Sequence, residues 1–271
     1  MDTLSLETFA RRLVVSDTIE KKLSFCPASI SIQETAPCHR IMAPGRPNNL
    51  KVIPGKKVKV PPIMGVRDKE QRARIIHALA NHELQAAELF AWAIVAFGDT
   101  PKAFRRGLLS ILTEEQEHCL LYIGLLDSLG HSFGDFPVTG HFWHKLDPIK
   151  TPLDFLCTMG LTYENANLDF ANEYIQEAQK HSLTDFVSVL EKVHEEEIRH
   201  VAFAWRWFKK FKKATSSTME TYNGSVTRPL GLHRARGKTF DEASRIKAGL
   251  DQEFINACKN QEPRRPDGRP R

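Results

Sequence analysis

Two short stretches decide the fold: TEEQEHCLLY at residues 113–122 and HEEEIRHVAF at residues 194–203. Each stretch falls within a helical pattern of apolar residues, and each turns one acid and one histidine into its apolar stripe. These inward pairs are Glu115 with His118, and Glu197 with His200. Because residues three apart share a helix face, both side chains of each pair are expected to point into the core.

The sequence contains four long helical patterns, and the two pairs lie in the second and the fourth. The patterns cover residues 69–97, 101–129, 151–181 and 183–212. Short connections join the first two and the last two, whereas a long segment with prolines and glycines separates the second from the third. Pro101 is expected in the first turn of the second helix, and Ser182 or Thr184 is expected to cap the fourth. The order hairpin, long crossover, hairpin predicts an all-α fold, a ferritin-like four-helix bundle with one long crossover.

The rest of the chain has weaker helical periodicity. Short helices are expected near residues 4–23 and 239–257, and none is expected just after Lys213, where periodicity is lost. Residues 1–68 are predicted to form an N-terminal helix with an extended arm, and residues 69–213 the bundle. Residues 214–257 are predicted to form a C-terminal extension packing on the bundle, and residues 258–271 a flexible tail.

The first and third helices each carry one glutamate in mid-stripe, Glu83 and Glu164. Glu164 lies 81 positions after Glu83, and the two inward Glu-x-x-His motifs are 82 positions apart. A pseudo-twofold repeat of two helical hairpins would bring all six side chains to one level of the bundle. Glu88 lies about 140° further round the first helix and is expected to be peripheral.

Four carboxylates in an apolar core would repel one another, and burying an unpaired charge is costly. Two divalent ions would offset the four charges, and each histidine would supply one nitrogen ligand. Carboxylate and imidazole ligands favour iron or manganese over copper or structural zinc. Packing through buried salt bridges without a metal is the alternative. The predicted ligands are Glu83, Glu115, His118, Glu164, Glu197 and His200.

Other candidate residues have simpler interpretations. A third Glu-x-x-His, Glu191 with His194, has no counterpart in the first half and is interpreted as incidental. His82 and His194 are candidates for groups behind the ligands, but solvated or packed histidines are the expectation. Tyrosines beside the ligands are interpreted as packing groups, with hydrogen bonding near the centre or oxidation as the alternative. The residues interpreted as packing groups or core and surface anchors are Tyr122, Tyr163, Trp205 and Trp207.

The chain resembles the ferritin-like di-iron carboxylate superfamily, and more narrowly a bacterial ferritin-like family of unknown function distantly related to a tRNA hydroxylase. The resemblance covers roughly residues 43–257 and leaves the N-terminal helix and the tail outside. It rests on HALANHELQAAEL, EEQEHCLLY, LGHSFGDFP, LTYENANLD and EEEIRHVAFAWRWF, with GRP at residues 45–47 and PLGLHRARGKTFDEA after the bundle.

The resemblance implies roles for the ligands. In that superfamily the Glu of each Glu-x-x-His commonly bridges the metals, so Glu115 and Glu197 are the implied bridging residues. Glu83 and Glu164 would then be terminal ligands. The implied cofactor is two iron ions, with manganese or a mixed iron and manganese pair as the alternative.

An oxygen-dependent oxidase or hydroxylase of unknown substrate is the function that this resemblance implies. Its partners would be molecular oxygen or peroxide, the substrate and an electron donor. One alternative is iron handling or peroxide protection without an organic substrate, and another is a metal-stabilised interaction protein. Fold alone does not decide among them.

Composition limits the cellular context. The five cysteines are odd in number and form no close pair with zinc spacing. This argues against a disulfide framework and favours a reducing compartment and a cytoplasmic location. No stretch reaches the roughly 20 apolar residues of a membrane span. Cys119 and Cys157 fall in helical patterns and are expected in the core. The cysteines are Cys26, Cys38, Cys119, Cys157 and Cys258.

A formal net charge of +5 permits an anionic partner without requiring one. RNA is therefore a candidate partner, although lysines at the end of a helix also complement its dipole. The sequence leaves a homodimer open. The basic residues concerned are Lys209, Lys210, Lys212, Lys213, Arg234, Arg236, Arg264, Arg265, Arg269 and Arg271.

Overall fold

The α-helical character predicted from the sequence is confirmed by a computed structural model of the chain, which describes residues 4–53 and 58–262. These described ranges contain no β-strand, although one isolated β-bridge is present. The chain forms two compact units that divide between Leu146 and Asp147, inside the predicted bundle region. Within the described ranges, every helix is too short or too polar to cross a membrane.

The first unit contains a long helical hairpin. Its helices are α1 (Leu6–Val15), α2 (Ile19–Lys22), α3 (Lys69–Ala96) and α4 (Lys102–Ser128), with 3₁₀ turns at Asn48–Leu50, Ile63–Arg67 and Trp143–Lys145. The bounds of α3 and α4 agree with the predicted helices to within one residue. The Asp68 side chain caps α3 by accepting from the Gln71 amide at 2.9 Å, and Pro101 directly precedes α4.

The single helix predicted for residues 4–23 is wrong, because two helices occupy this segment. The break falls at Ser16, whose backbone is extended and whose hydroxyl accepts from the Thr18 amide at 3.3 Å. This local hydrogen bond offers the backbone an alternative to continuing the helix. The apolar face of α1 is buried and packs against α3.

The arm after α2 runs along α3 in an irregular conformation. The indole Nε1 of Trp92 in α3 donates to the Ile41 carbonyl at 3.0 Å. Gly45 passes so close to α1 that a Cβ there would lie 2.1 Å from the Val15 carbonyl oxygen. The arm is therefore held to the hairpin by both backbone and side-chain contacts.

The second unit contains the other long hairpin and the C-terminal extension. Its helical elements are α5 (Pro152–Phe155), a π-helical segment (Leu156–Glu164), α6 (Asn165–Lys180), α7 (Thr184–Phe211), α8 (Thr218–Ser225), α9 (Glu242–Lys247) and α10 (Gln252–Lys259), with a 3₁₀ turn at Leu232–Arg234. The outer bounds of the hairpin agree with the predicted segments to within one residue. The π-helical segment was not predicted.

The turn between α6 and α7 differs from the prediction. Leu183 occupies the position before α7, and no side chain there caps the helix, so neither Ser182 nor Thr184 acts as the cap. Ser182 instead has a positive φ of 53°, which lets the chain reverse direction in a tight turn.

The C-terminal extension contains more helix than expected. The single helix predicted for residues 239–257 is wrong, because Gly249, with φ of +77°, ends a turn that separates α9 from α10. Helix α8 was also not predicted. It begins with a capping box in which the Ser217 hydroxyl accepts from the Glu220 amide at 3.1 Å. Arg264, Arg265, Arg269 and Arg271 lie outside the described residues.

Candidate metal centre

The first unit brings together three of the predicted ligands. Glu83 of α3 and Glu115 and His118 of α4 are all buried, and each offers one ligand atom within 4.8 Å of those of the other two. His118 Nδ1 lies 3.5 Å from Glu115 Oε2. This proximity follows from the three-residue spacing, which places both side chains on one face of α4.

The second unit repeats this arrangement with the other three predicted ligands. Glu164, at the end of the π-helical segment, and Glu197 and His200 of α7 are buried, with one ligand atom each within 4.8 Å of the others. His200 Nδ1 lies 3.7 Å from Glu197 Oε2. Each unit therefore holds a buried Glu, Glu, His triad.

The two carboxylate oxygens of Glu197 differ in their hydrogen bonding. Its Oε1 accepts a hydrogen bond from Asn167 Nδ2 at 2.8 Å. Its Oε2 is buried and accepts no hydrogen bond from the part of the chain that the structure describes. A buried carboxylate oxygen without a hydrogen bond is costly unless a cation contacts it.

The donor set of each triad suits a divalent ion. Two carboxylates and one imidazole supply oxygen and nitrogen ligands, and neither triad includes a thiolate. Like charges this close raise the free energy of the folded state, and a bound cation would reverse that effect. Each triad could therefore hold a metal ion.

A π-helical segment leads into the second triad. Glu164 is its last residue, and Gly160 lies one turn earlier against α7. A Cβ at Gly160 would come within 2.2 Å of Ala204 Cβ, so the glycine permits the close approach. Single π turns inside α-helices are frequently found at functional sites.

The tyrosines beside the triads are packed side chains. Tyr122 and Tyr163 are buried, and burial raises the pKa of Tyr163 to about 12. Its hydroxyl therefore stays protonated at neutral pH. Trp205 is also buried and stacks on Phe208 with 5.3 Å between ring centroids. The Lys209 ammonium also lies over the Trp205 ring, 5.5 Å from its centroid.

The remaining histidine candidates belong to neither triad. Burial lowers the pKa of His82 to about 4, so its ring is neutral. His194 Nε2 lies 3.2 Å from Asp241 Oδ2 in the second unit. Its motif partner Glu191 is exposed, in line with the interpretation of that motif as incidental.

The prediction that Glu88 is peripheral is wrong. Its carboxylate is fully buried in the first unit and contacts Lys22, Arg46 and the indole of Trp143. The helix periodicity correctly places it away from the ligand stripe, but that side of α3 is covered by the N-terminal arm. No local pattern around Glu88 reveals partners that come from such distant positions.

Comparison with protein families gives one match. A family described as a protein of unknown function, DUF455, matches residues 6–256. The chain belongs to the DUF455 family. The match includes α1, which the sequence resemblance had left outside. No curated protein and no solved structure matches the chain.

Proposed function

We propose that this DUF455 protein is a ferritin-like dinuclear metal carboxylate protein that binds two iron ions, with manganese or a mixed pair as the alternative. The observation that carries the proposal is the presence of a buried Glu, Glu, His triad in each unit. The two triads occupy matching positions of the sequence repeat. Such an arrangement is the ligand set of carboxylate-bridged di-metal bundles.

The six residues divide into three roles. The histidines His118 and His200 would each give one nitrogen to one ion. The glutamates of the two Glu-x-x-His motifs would bridge the ions, and Glu83 and Glu164 would each bind one ion as terminal ligands. Four carboxylates balance the charge of two divalent ions, which removes the repulsion that the metal-free triads contain.

Residues around the triads prepare them for this role. Asn167 fixes the orientation of Glu197 by donating to Oε1, which leaves Oε2 directed for another contact. Burial keeps water away from the ligand atoms and strengthens their attraction for a cation. Iron held by these six residues would, in its reduced state, supply electrons for the reduction of oxygen or peroxide.

On this basis we assign the protein an oxygen-dependent oxidase or hydroxylase activity on an organic substrate, with an external electron donor. The buried location of the triads supports redox chemistry, because it protects reactive species from solvent. The substrate class is left to experiment, since fold and ligand set are shared by proteins of different function.

The first test is metal content. We expect protein purified without chelator to contain about two iron or manganese ions per chain by mass spectrometry, as the ligand set of the bundle requires. Glu115→Ala and Glu197→Ala should each lose metal. Glu191→Ala, which alters the exposed glutamate of the incidental motif, is the matched control and should keep it.

Loading with ferrous iron under anaerobic conditions extends the test. Metal-loaded protein that consumes oxygen in the presence of a reductant would support the oxidase assignment. Iron turnover or peroxide removal without any organic co-substrate would favour the iron-handling alternative. A protein that binds no metal even after loading would overturn the proposal.

A further inference from the structure

Within residues 4–53 and 58–262, two fully buried carboxylates lie outside the triads, Glu88 in α3 and Asp169 in α6. Each lies five residues after a proposed terminal ligand, Glu83 or Glu164. Five residues along an α-helix correspond to about 140° of rotation, so these carboxylates point away from the ligand side. Asp169 lies 81 positions after Glu88, the same offset that relates Glu164 to Glu83.

In the first unit, Arg46 of the N-terminal arm holds Glu88 with two parallel hydrogen bonds. Nε donates to Oε1 and Nη2 donates to Oε2, both at 2.7 Å. Nη1 of the same side chain donates to Asn81 Oδ1 at 3.2 Å. Arg46 therefore contacts α3 two residues before and five residues after Glu83. We refer to Arg46 with Glu88 and Asn81 as the N-terminal clamp.

In the second unit, Arg245 of α9 holds Asp169 in the same way. Nη1 donates to Oδ1 at 2.7 Å, and Nη2 donates to Oδ2 at 3.0 Å. Nη2 also donates to the backbone carbonyl of Asn165 at 2.8 Å, directly after Glu164. Both Arg245 and Asp169 are fully buried. We refer to Arg245 with Asp169 and Asn165 as the C-terminal clamp.

A second contact from the C-terminal extension completes the parallel. Tyr222 of α8 forms a buried hydrogen bond of 2.6 Å between its hydroxyl and Thr162 Oγ1. Thr162 lies 81 positions after Asn81, so it stands two residues before Glu164 as Asn81 stands before Glu83. Each proposed terminal ligand thus has contacted residues two positions before it and five positions after it. In both units these contacts come from a segment outside the helical hairpin.

We propose that Arg46 and Arg245 are equivalent positioning residues, each setting the position of one terminal metal ligand, Glu83 or Glu164. The inference rests on the proposed function, because it concerns metal ligands. A bidentate arginine holds a carboxylate in one plane and one direction. Because that carboxylate belongs to the helix, each clamp restricts both rotation of the helix and its shift along its axis. Because a carboxylate at the end of a glutamate side chain moves with its helix, each clamp controls the affinity of one ion. The N-terminal arm serves the first triad, and the C-terminal extension serves the second.

This role accounts for two buried arginines that the ligand set leaves unexplained. Arg46 is the central residue of GRP, and Arg245 follows shortly after PLGLHRARGKTFDEA. The DUF455 match also extends over both segments, well beyond the helices that carry the ligands. If the arginines served only to fasten the extensions, their loss would lower stability without affecting one ion more than the other.

The test uses Arg46→Lys and Arg245→Lys, which keep the charge but lose the planar fork. Arg105→Lys is the control for the first, because buried Arg105 donates hydrogen bonds to the Glu7 carboxylate and to carbonyl oxygens of the arm. Arg236→Lys is the control for the second, because it binds the carbonyls of residues 259 and 261.

Each variant is made in the full chain and in two single-triad backgrounds, Glu164→Ala and Glu83→Ala. Metal-free protein is titrated with cobalt(II), whose affinity is measured by calorimetry and whose ligand geometry is followed by visible absorption. Thermal unfolding of the metal-free form reports stability separately. If a lysine variant does not fold, Asn81→Ala replaces Arg46→Lys, and Tyr222→Phe replaces Arg245→Lys.

In the Glu164→Ala background, Arg46→Lys should weaken cobalt binding by about tenfold or more, as loss of groups behind metal ligands does. Arg245→Lys should change it less than about twofold, and the pattern should reverse in the Glu83→Ala background. The absorption spectrum should shift with the affinity. If the single-triad variants bind cobalt too weakly to measure, the lysine variants are titrated in the full chain. There each should weaken only one of the two cobalt-binding steps.

Equal effects on both ions, or equal effects in the control variants, would overturn the positioning role while leaving the metal site intact. Unchanged affinity and spectrum in both lysine variants would do the same. Failure of the unmodified chain to bind cobalt would instead overturn the proposed function, and the positioning role with it.

Discussion

The helices that carry Glu83 and Glu164 reach the same kind of triad through different backbone geometries. Glu83 lies in the interior of α3, which is α-helical from Lys69 to Ala96. Glu164 ends a π-helical segment, where the backbone makes wider turns. The repeat therefore preserves the proposed ligands and the positions that bracket them, but it does not preserve the helix geometry that precedes them.

The two clamps also differ in how their carboxylates are neutralised. Glu88 contacts two cations, Arg46 at 2.7 Å and Lys22 at 2.8 Å, and accepts from the Trp143 indole at 2.8 Å. Of the cations that the structure describes, Asp169 contacts one, Arg245, and it also accepts from the backbone amides of residues 237 and 241. Loss of the arginine should therefore be more damaging in the second unit.

The largest expected effect tests this difference between the clamps. Arg245→Met should lower the free energy of unfolding by about 3–5 kcal/mol, because it leaves a buried Asp169 charge without a cation. Arg46→Met should cost less than half as much, since Lys22 still contacts Glu88. Urea denaturation of the metal-free protein, followed by circular dichroism, measures both values.

The double variant Arg245→Met, Asp169→Asn is the control. It removes the buried charge but keeps one side-chain oxygen that can accept from a backbone amide, so it should recover part of the lost stability. Equal losses in the two arginine variants would show that Lys22 does not compensate for Arg46.

The second effect is a pH dependence located in the first unit. Burial lowers the pKa of His77 to about 4, while nearby Asp135 acts in the opposite direction. Between about pH 6.5 and 4 the unfolded chain binds more protons than the folded one, so stability should fall as the pH falls. The loss over this interval should be about 3 kcal/mol, measured by urea denaturation at several pH values.

The structural reason is that His77 Nε2 accepts from the Gly134 amide at 2.9 Å and cannot do so when protonated. His77→Gln should remove most of this slope. His181→Gln, at an exposed position in the second unit, should leave it unchanged. An unaltered slope in His77→Gln would assign the pH dependence to other groups.

The third effect compares a glycine in the π-helical segment with one in a regular helix. Gly160→Ala should destabilise the protein by about 1–3 kcal/mol, because the new Cβ overlaps Ala204 and α7 cannot move freely. Gly124→Ala in α4 should stabilise it by about 0.5–1 kcal/mol, since no atom within 4 Å obstructs the methyl group. Thermal unfolding measures both changes, and a stable Gly160→Ala protein would mean that the segment tolerates a wider separation from α7.

Many of the helix bounds and both triads could be predicted from the periodicity of the sequence. The bounds of α3, α4 and α7 follow from apolar spacing, and the triads follow from acids and histidines within the same stripes. These features depend on residues three and four apart, which a single sequence displays directly.

Features that depend on distant partners could not be predicted. The wide turns near Gly160 are accommodated by Ala204, which lies far along the chain. Glu88 resembles a surface residue until Arg46 and Lys22 are placed beside it. Local sequence patterns do not indicate which distant segment covers the outer face of a helical hairpin. The two clamps therefore could not be predicted from the sequence.

The smallest effect compares two threonines that both bond to their own helix. Thr162 Oγ1 lies 2.7 Å from the Cys157 carbonyl and also pairs with the buried Tyr222 hydroxyl, whereas Thr113 Oγ1 donates only to the Leu109 carbonyl at 3.0 Å. Thr162→Val should cost about 1–2 kcal/mol, because it leaves a buried hydroxyl without that partner. Thr113→Val, at a half-buried position, should stay within about 0.5 kcal/mol of the unmodified protein.

A double-mutant cycle with Tyr222→Phe decides whether the Thr162 hydrogen bond is the cause. If it is, the double variant should be less destabilised than the two single variants together, because removing both hydroxyls leaves neither one buried without its partner. Additive losses would mean that the two hydroxyls act independently. In that case α8 would contact the segment before Glu164 without constraining it, and Arg245 alone would remain as the link between the C-terminal extension and the second triad.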